Sequence, residues 1–317
     1  MSELVWGPIH RALDERARSG DRLNWVVAPF VTVAALERLF DSAPPAAGFK
    51  LVCRWRPGDL VAGVSDLAVF HFLRERGCQL YVNQQIHMKL YVFESNIALS
   101  TSGNLTLRGL GYLDPSQANI EVGSTVELNA TDWVNLHRVI AGSRVVTQEI
   151  YDRFEAFLNA QPPPPSAPEV PDLLGPAKKY TLTSLPATDS PEELAKFYFD
   201  PASFQHSTET ARRAFHDLAT FEIPPRLSRE EFETVLGDSF RRNPFVVDFL
   251  ALLREQKSLH FGAVNAWIHQ KCEDVPLPYK WEIKSSTHSF YNWLAQYVAE
   301  VTWDRPNYSQ VIYWNRA

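Results

Sequence analysis

The stretch Gln161-Pro-Pro-Pro-Pro-Ser-Ala-Pro-Glu-Val-Pro171 contains six prolines, and no other segment constrains the folding of this chain as strongly. Each proline removes a backbone donor and fixes φ, so the stretch favours extended polyproline II geometry over any packed element. With 317 residues, 45% of them hydrophobic, the chain is long enough to bury two cores. The tract is expected to separate them, as a first domain over 1–160, a linker over 161–174 and a second domain over 175–317. A proline tract can also be a ligand for small recognition modules, although spacing two domains is its commoner role.

Before the tract, apolar runs alternate with helical patterns. Leu23 to Phe30, Phe49 to Trp55 and Cys78 to Val82 have strand character, while Val33 to Asp41 and Asp66 to Arg76 have helical character. This rhythm predicts an α/β domain with a mixed or parallel central sheet. Ile86 to Phe93 then alternates strongly, Glu94-Ser95-Asn96 supplies turn residues, and Ile97-Ala98-Leu99 is apolar again, which predicts a β-hairpin.

Residues two apart on a strand share a face, so His87 and Lys89 are expected to project together while Met88, Leu90 and Val92 pack the other way. Ser102 and Asn104 repeat that spacing after the turn and can meet the first pair. An imidazole, an ammonium, a hydroxyl and a carboxamide then converge on one point.

His87-Met-Lys89-Leu-Tyr-Val-Phe-Glu94, followed by Ser102-Gly-Asn104-Leu-Thr, resembles the signature of the phospholipase D superfamily: His-x-Lys, an acidic residue five positions on, then Ser-x-Asn. The resemblance extends over most of residues 20 to 155, including the strand and helix order and Asn119-Ile-Glu121. Glu94 stands where the family usually has Asp, a structural position near the hairpin turn, so activity is expected to tolerate it. The resemblance implies a phospholipase D-like mixed sheet flanked by helices and a phosphodiesterase that uses neither metal nor cofactor. In that scheme His87 attacks phosphorus to form a phosphohistidine, which water then hydrolyses. Lys89 and Asn104 hold the non-bridging oxygens, Ser102 adds a hydrogen bond, and Glu121 orients the imidazole. Family members with two motifs take the general acid from the second histidine. This chain has one motif, which implies a homodimer sharing one site.

Family members of this size and layout include metal-independent restriction endonucleases and defence nucleases. The expected activity is therefore cleavage of nucleic acid, with DNA the favoured substrate, in restriction or phage defence and alongside further defence-system subunits. The alternatives are a phospholipid phosphodiesterase and a catalytically silent dimeric binding subunit of a defence complex. Two other features have weaker functional readings. Arg54-Trp-Arg56-Pro-Gly-Asp59 can form a loop that reaches substrate phosphates or is merely solvated, and His71 is expected to be a packing or surface residue.

After the tract the pattern is mainly helical. Ser190-Pro-Glu-Glu, Ser207-Thr-Glu-Thr and Ser228-Arg-Glu-Glu look like helix N-termini. Pro244 to Gln256, Phe261 to Lys271 and Ser286 to Val298 have helical periodicity. Val301-Thr-Trp, a turn at Asp304 to Asn307, and Tyr308 to Trp314 then suggest a hairpin. This order suggests a winged helix. On its third helix, His288, Asn292 and Gln296 share one face and can read base edges, with Lys280, Lys284 and Arg305 available for phosphates. A helical dimerisation or partner-binding module has the same pattern. The aromatics Trp303, Tyr308, Tyr313 and Trp314 are expected to belong to the core rather than to a stacking platform.

The net charge of −6 disfavours a protein whose whole surface grips nucleic acid, so any basic patch must be local. Cys53, Cys78 and Cys272 are scattered and odd in number, which suggests neither a disulfide framework nor a zinc site. The first residues carry charge every few positions and resemble a surface helix rather than a signal peptide. No run approaches the roughly 20 apolar residues of a membrane span. The expected location is cytoplasmic.

Overall fold

A computed structural model describes residues 4–161, 180–206, 208–274, 278–306 and 310–315. The chain divides into two compact units, Met1–Val170 and Pro171–Ala317. Apart from Gln161, the segment expected to be a linker lies outside the described residues.

The first unit begins with β1 (Leu4–Trp6), α1 (His10–Arg18), β2 (Leu23–Val27), α2 (Val33–Ser42), β3 (Pro45–Cys53), α3 (Pro57–Val61), α4 (Val69–Glu75) and β4 (Gln79–Val82). It continues with β5 (Leu90–Phe93), β6 (Ile97–Thr101), α5 (Leu107–Leu110), β7 (Val122–Glu127), α6 (Ala130–Ala141), β8 (Arg144–Val145) and α7 (Gln148–Asn159). The strands form one eight-stranded sheet in the order β1-β7-β6-β5-β2-β3-β4-β8. Strands β2, β3 and β4 are parallel, and the remaining pairings are antiparallel. The fold is α/β, a mixed sheet flanked by helices.

Both faces of this sheet are covered, which is why its central strands are largely apolar. Leu51, Cys53, Tyr91 and Phe93 pack with Leu13 of α1, Leu36 and Leu39 of α2, Val69 and Leu73 of α4 and Tyr151 of α7. On the opposite face Trp25, Val92 and Ala98 pack against Leu136 of α6. A register shift between Leu23 and Trp25 puts these two residues, otherwise on one face, into different clusters.

The N-terminal residues expected to be wholly helical begin as the edge strand β1, with α1 following. The predicted Leu23–Phe30 strand stops at Val27, two residues before Pro29, which has no N–H to donate. The predicted Ile86–Phe93 strand is shorter at its start. Leu90 pairs with the last residue of β2, Val27, and with Ser100 of β6, so residues 86–89 run past the ends of the ladders. One contact continues, from the Thr101 N–H to the Lys89 carbonyl at 3.1 Å.

The second unit contains α8 (Pro191–Phe199), α9 (Glu209–Thr220), α10 (Arg229–Arg242), α11 (Pro244–Gln256), β9 (Ser258–His260), α12 (Phe261–Lys271), α13 (Lys280–Tyr297), β10 (Val301–Asp304) and β11 (Val311–Trp314). Ser190, Thr208 and Ser228 cap α8, α9 and α10 by accepting from backbone N–H groups three residues on. The N-terminus predicted at Ser207 itself lies outside the described residues. A three-stranded antiparallel sheet, β10-β11-β9, closes the C-terminal half. The succession α11, β9, α12, α13, β10, β11 is a winged-helix order with one strand, β9, that the sequence pattern did not show. Phe240, Phe245, Phe249, Phe290 and Trp293 form its core, with Trp303 and Trp314 packed against them. Tyr308 lies outside the described residues.

Candidate active site

The candidate residues gather at one edge of the sheet. Val27, Cys53 and Val82 end the parallel strands there, β5 begins there and β6 ends there. Ligands of open α/β sheets commonly bind outside the carboxyl ends of the parallel strands.

Ser102-Gly103-Asn104 follows β6 directly, and its backbone is held from several sides. The Ser102 N–H donates to the Val122 carbonyl at 2.9 Å, and the Gly103 N–H to Thr101 Oγ1 at 3.1 Å. The Asn104 carbonyl accepts from the Thr106 N–H at 2.8 Å. Leu105 forms a bridge to Val31, beyond the end of β2. The middle residue has to be glycine, because a Cβ there would lie 2.4 Å from the Gly109 carbonyl oxygen. Gly109 faces the same limit, with Asn104 O 2.5 Å from its own notional Cβ. Thr106 caps α5, which carries Gly109 against the motif.

The Ser102 hydroxyl donates to the Glu121 carboxylate and accepts from the Val122 N–H at 3.1 Å. The other Glu121 oxygen accepts from Asn119 Nδ2 at 3.1 Å, and the Glu121 carbonyl from the Gly7 N–H at 2.9 Å. Glu121 was expected to orient the imidazole. Both its carboxylate oxygens instead have partners in Ser102 and Asn119, and no hydrogen bond among the described residues joins it to His87. The carboxylate fixes the Ser-x-Asn arm, a longer-range pairing that strand spacing cannot reveal.

His87 is exposed and Lys89 half-buried, with Lys89 Nζ donating to the His87 carbonyl at 3.0 Å. The expected division into one apolar and one reactive face is corrected here: Met88 is 40% exposed, and below it both faces of β5 are buried. Tyr91 forms the floor. It is fully buried, with its hydroxyl 3.5 Å from the Gly103 carbonyl, and burial above all, then the charges of Tyr112 and Glu121, raises its pKa. The Asn104 Oδ1 atom is buried with no hydrogen-bond partner among the described residues. Such an orphan acceptor costs roughly 1–3 kcal/mol until a donor meets it.

Glu94 is exposed at the hairpin turn, its N–H bonded to the Arg22 carbonyl at 3.0 Å. Arg54 does not reach outward: it forms an ion pair with Asp59 at 2.8 Å and lies over the Phe30 ring. Arg56 is exposed, but it donates to the Gln84 carbonyl at 2.8 Å while Gln84 Nε2 donates to the Trp55 carbonyl at 2.8 Å. This reciprocal pair steadies the turn that precedes His87. His71 packs edge-on against Tyr151 at 4.3 Å. A cavity of about 460 Å³, lined in part by Trp6, His10, Arg11, Tyr112 and Asn119, opens beside Glu121; residue spacing carries no signal of it, because its walls come from segments about a hundred residues apart. No described helix is long and apolar enough to cross a membrane.

No protein-family model matches the chain, and no curated protein matches it. Among solved structures, NucT from Helicobacter pylori is similar with a TM-score of 0.34 and 11% identity, covering 46% of this chain and 99% of its own. Nuc from Salmonella typhimurium, a phospholipase D family member, gives a TM-score of 0.35 and 14% identity, covering 47% of this chain and 99% of its own. TrmBL2, an archaeal chromatin protein, gives 0.30 and 8%, covering 46% of this chain and 53% of its own. With His87-x-Lys89 and Ser102-x-Asn104 brought to the same edge of a mixed sheet flanked by helices, the chain resembles the phospholipase D superfamily.

Proposed function

We propose that this protein is a phosphodiesterase acting as a nuclease through a phosphohistidine intermediate, with DNA as substrate. The observation that carries the proposal is the Ser102-Gly103-Asn104 arm, fixed by Glu121 at the sheet end where His87-x-Lys89 leads into β5, which leaves the Asn104 Nδ2 donor and Lys89 Nζ to meet phosphate oxygens. Fixed dipoles at the position where charge develops are what phosphoryl transfer requires.

In this mechanism a ring nitrogen of His87 attacks phosphorus, the N–P bond forms and the P–O bond to the leaving oxygen breaks. Lys89 Nζ and the Asn104 carboxamide hydrogen-bond to the non-bridging oxygens. The leaving oxygen takes a proton from a general acid, assigned here to the same histidine of a second copy across a twofold axis. Water, deprotonated by that second imidazole, then cleaves the N–P bond, releasing a phosphomonoester and restoring His87. Restriction or phage defence is the biological setting proposed for this activity.

The test is a comparison of plasmid DNA, RNA and phospholipid vesicles as substrates, with EDTA present. Cleavage of DNA that persists in chelator and is lost in His87→Ala supports the proposal. Turnover of lipid alone would replace it with the phospholipid reading, and tight nucleic-acid binding without product would replace it with a silent binding subunit.

A further inference from the structure

The second unit carries a cluster of positive charge that the overall charge of −6 conceals. On α13 the exposed residues Trp281, Ser285, His288 and Asn292 recur at intervals of four, three and four and form one stripe, with Lys284 along its side. The C-terminal end of that stripe is occupied. Asn292 Nδ2 donates to the Asp189 carbonyl at 3.0 Å, and the adjacent Trp293 Nε1 to the Thr188 carbonyl at 3.1 Å.

The N-terminal half is open. Tyr279 and Trp281 are 66% and 67% exposed, and Lys280, Lys284 and His288 are exposed beside them. The Glu282 carboxylate is used as a cap, accepting from the Tyr279 N–H at 2.6 Å. Arg305, which follows β10, joins the cluster from a different element. His288 packs on Phe261 at 4.8 Å, and its pKa is lowered by burial first, then by the charges of Arg305 and Lys284. Lys284 and Arg305, from separate elements, thus both act electrostatically on the His288 ring.

We propose that the N-terminal half of α13, together with Arg305, is a docking surface for B-form duplex DNA. Lys280, Lys284 and Arg305 take phosphates, while Trp281, Ser285 and His288 face the base edges. A helix about 10–12 Å across fits a major groove roughly 12 Å wide, and helix-turn-helix proteins meet base edges with the N-terminal residues of their second helix. The major groove of A-form RNA is too narrow for this. Asn292, placed on the base-reading face by spacing alone, is excluded because its amide is engaged by Asp189, and Gln296 lies one turn beyond that blocked position. The surface belongs to the second unit, so its test does not depend on the chemistry proposed for the first.

The test uses the full chain carrying His87→Ala, so that no turnover interferes, with a labelled mixed-sequence DNA duplex of about two helical turns in EDTA over a range of salt. The double variant Lys284→Ala, Arg305→Ala is expected to weaken binding about 30-fold and to reduce the slope of log affinity against log salt by about two. Trp281→Ala is expected to weaken binding roughly tenfold with the slope unchanged. The swap Lys284→Arg, Arg305→Lys keeps both charges and retains the slope. Unchanged circular dichroism of these exposed-site variants separates loss of contact from loss of fold. The proposal is overturned if the parent does not bind the duplex, if Lys284→Ala, Arg305→Ala leaves affinity and slope unaltered, or if an RNA duplex or a single strand binds equally well.

Discussion

The Ser102 hydroxyl donates to the Glu121 carboxylate across the ends of β6 and β7, while the Val122 N–H donates back to the same hydroxyl at 3.1 Å. Ser102 is thereby locked in one orientation, and the two residues should act as a unit. Glu121→Gln and Ser102→Ala are each expected to lower kcat about tenfold with little change in KM, and the double variant to lose little more than either alone. Steady-state kinetics on a double-mutant cycle measures this, and additive losses would show that the two residues act separately.

Gly103 packs against a backbone oxygen rather than a movable side chain. Gly103→Ala places a Cβ 2.4 Å from Gly109 O, so the Ser-x-Asn arm or α5 must shift. The expected cost is about 1–3 kcal/mol in the unfolding of the first unit, read by thermal or urea denaturation. Activity should fall even where the protein remains folded, because Asn104 moves with the backbone.

Much of the fold was legible because burial on two faces leaves a plain record. Strands β2, β3 and β4 are mostly apolar, and α11 and α12 run over the residues their periodicity indicated, α11 beginning at Pro244 after its cap Asn243. Strands β1 and β9, three residues each, are too short to carry a period. The residue types of the candidate site were legible from their paired spacing. Their partners were not, because Glu121 meets Ser102, and Asn292 meets Asp189, only through tertiary contact over 19 and 103 residues of sequence.

Asp217 is fully buried and accepts from the Ala187 N–H at 2.7 Å, the Thr188 N–H at 2.8 Å and the Thr188 hydroxyl at 2.6 Å, with His216 Nδ1 2.8 Å away. His216 Nε2 lies 2.9 Å from the Thr183 carbonyl, so the doubly protonated ring satisfies both acceptors. The hydrogen bond to Asp217 is the main cause of its raised pKa, partly opposed by burial. A raised folded-state pKa stabilises below the unfolded value of 6.5 and loses that contribution as pH rises through the folded value. Urea unfolding of the second unit should therefore show a stability decline above pH 6.5 that His216→Asn removes. Asp217→Ala, which orphans the Thr188 and Ala187 donors, should cost about 3 kcal/mol or more.

A site shared by two copies makes a quantitative demand on mixtures. When wild-type protein and His87→Ala are unfolded together and refolded, activity should follow the square of the wild-type fraction, because both imidazoles are needed. A linear dependence would show that each chain works alone.

The central claim is that the His87 imidazole is the nucleophile, and it is tested most directly by trapping the intermediate. Full-length protein is mixed with radiolabelled phosphodiester in EDTA and quenched in alkali, where phosphohistidine survives, and the labelled peptide is then mapped. The label is expected on the peptide containing His87, absent from His87→Ala, with cleavage by that variant reduced about a thousandfold or more. Undiminished cleavage by His87→Ala, or turnover that requires added magnesium and leaves no labelled histidine, would contradict it.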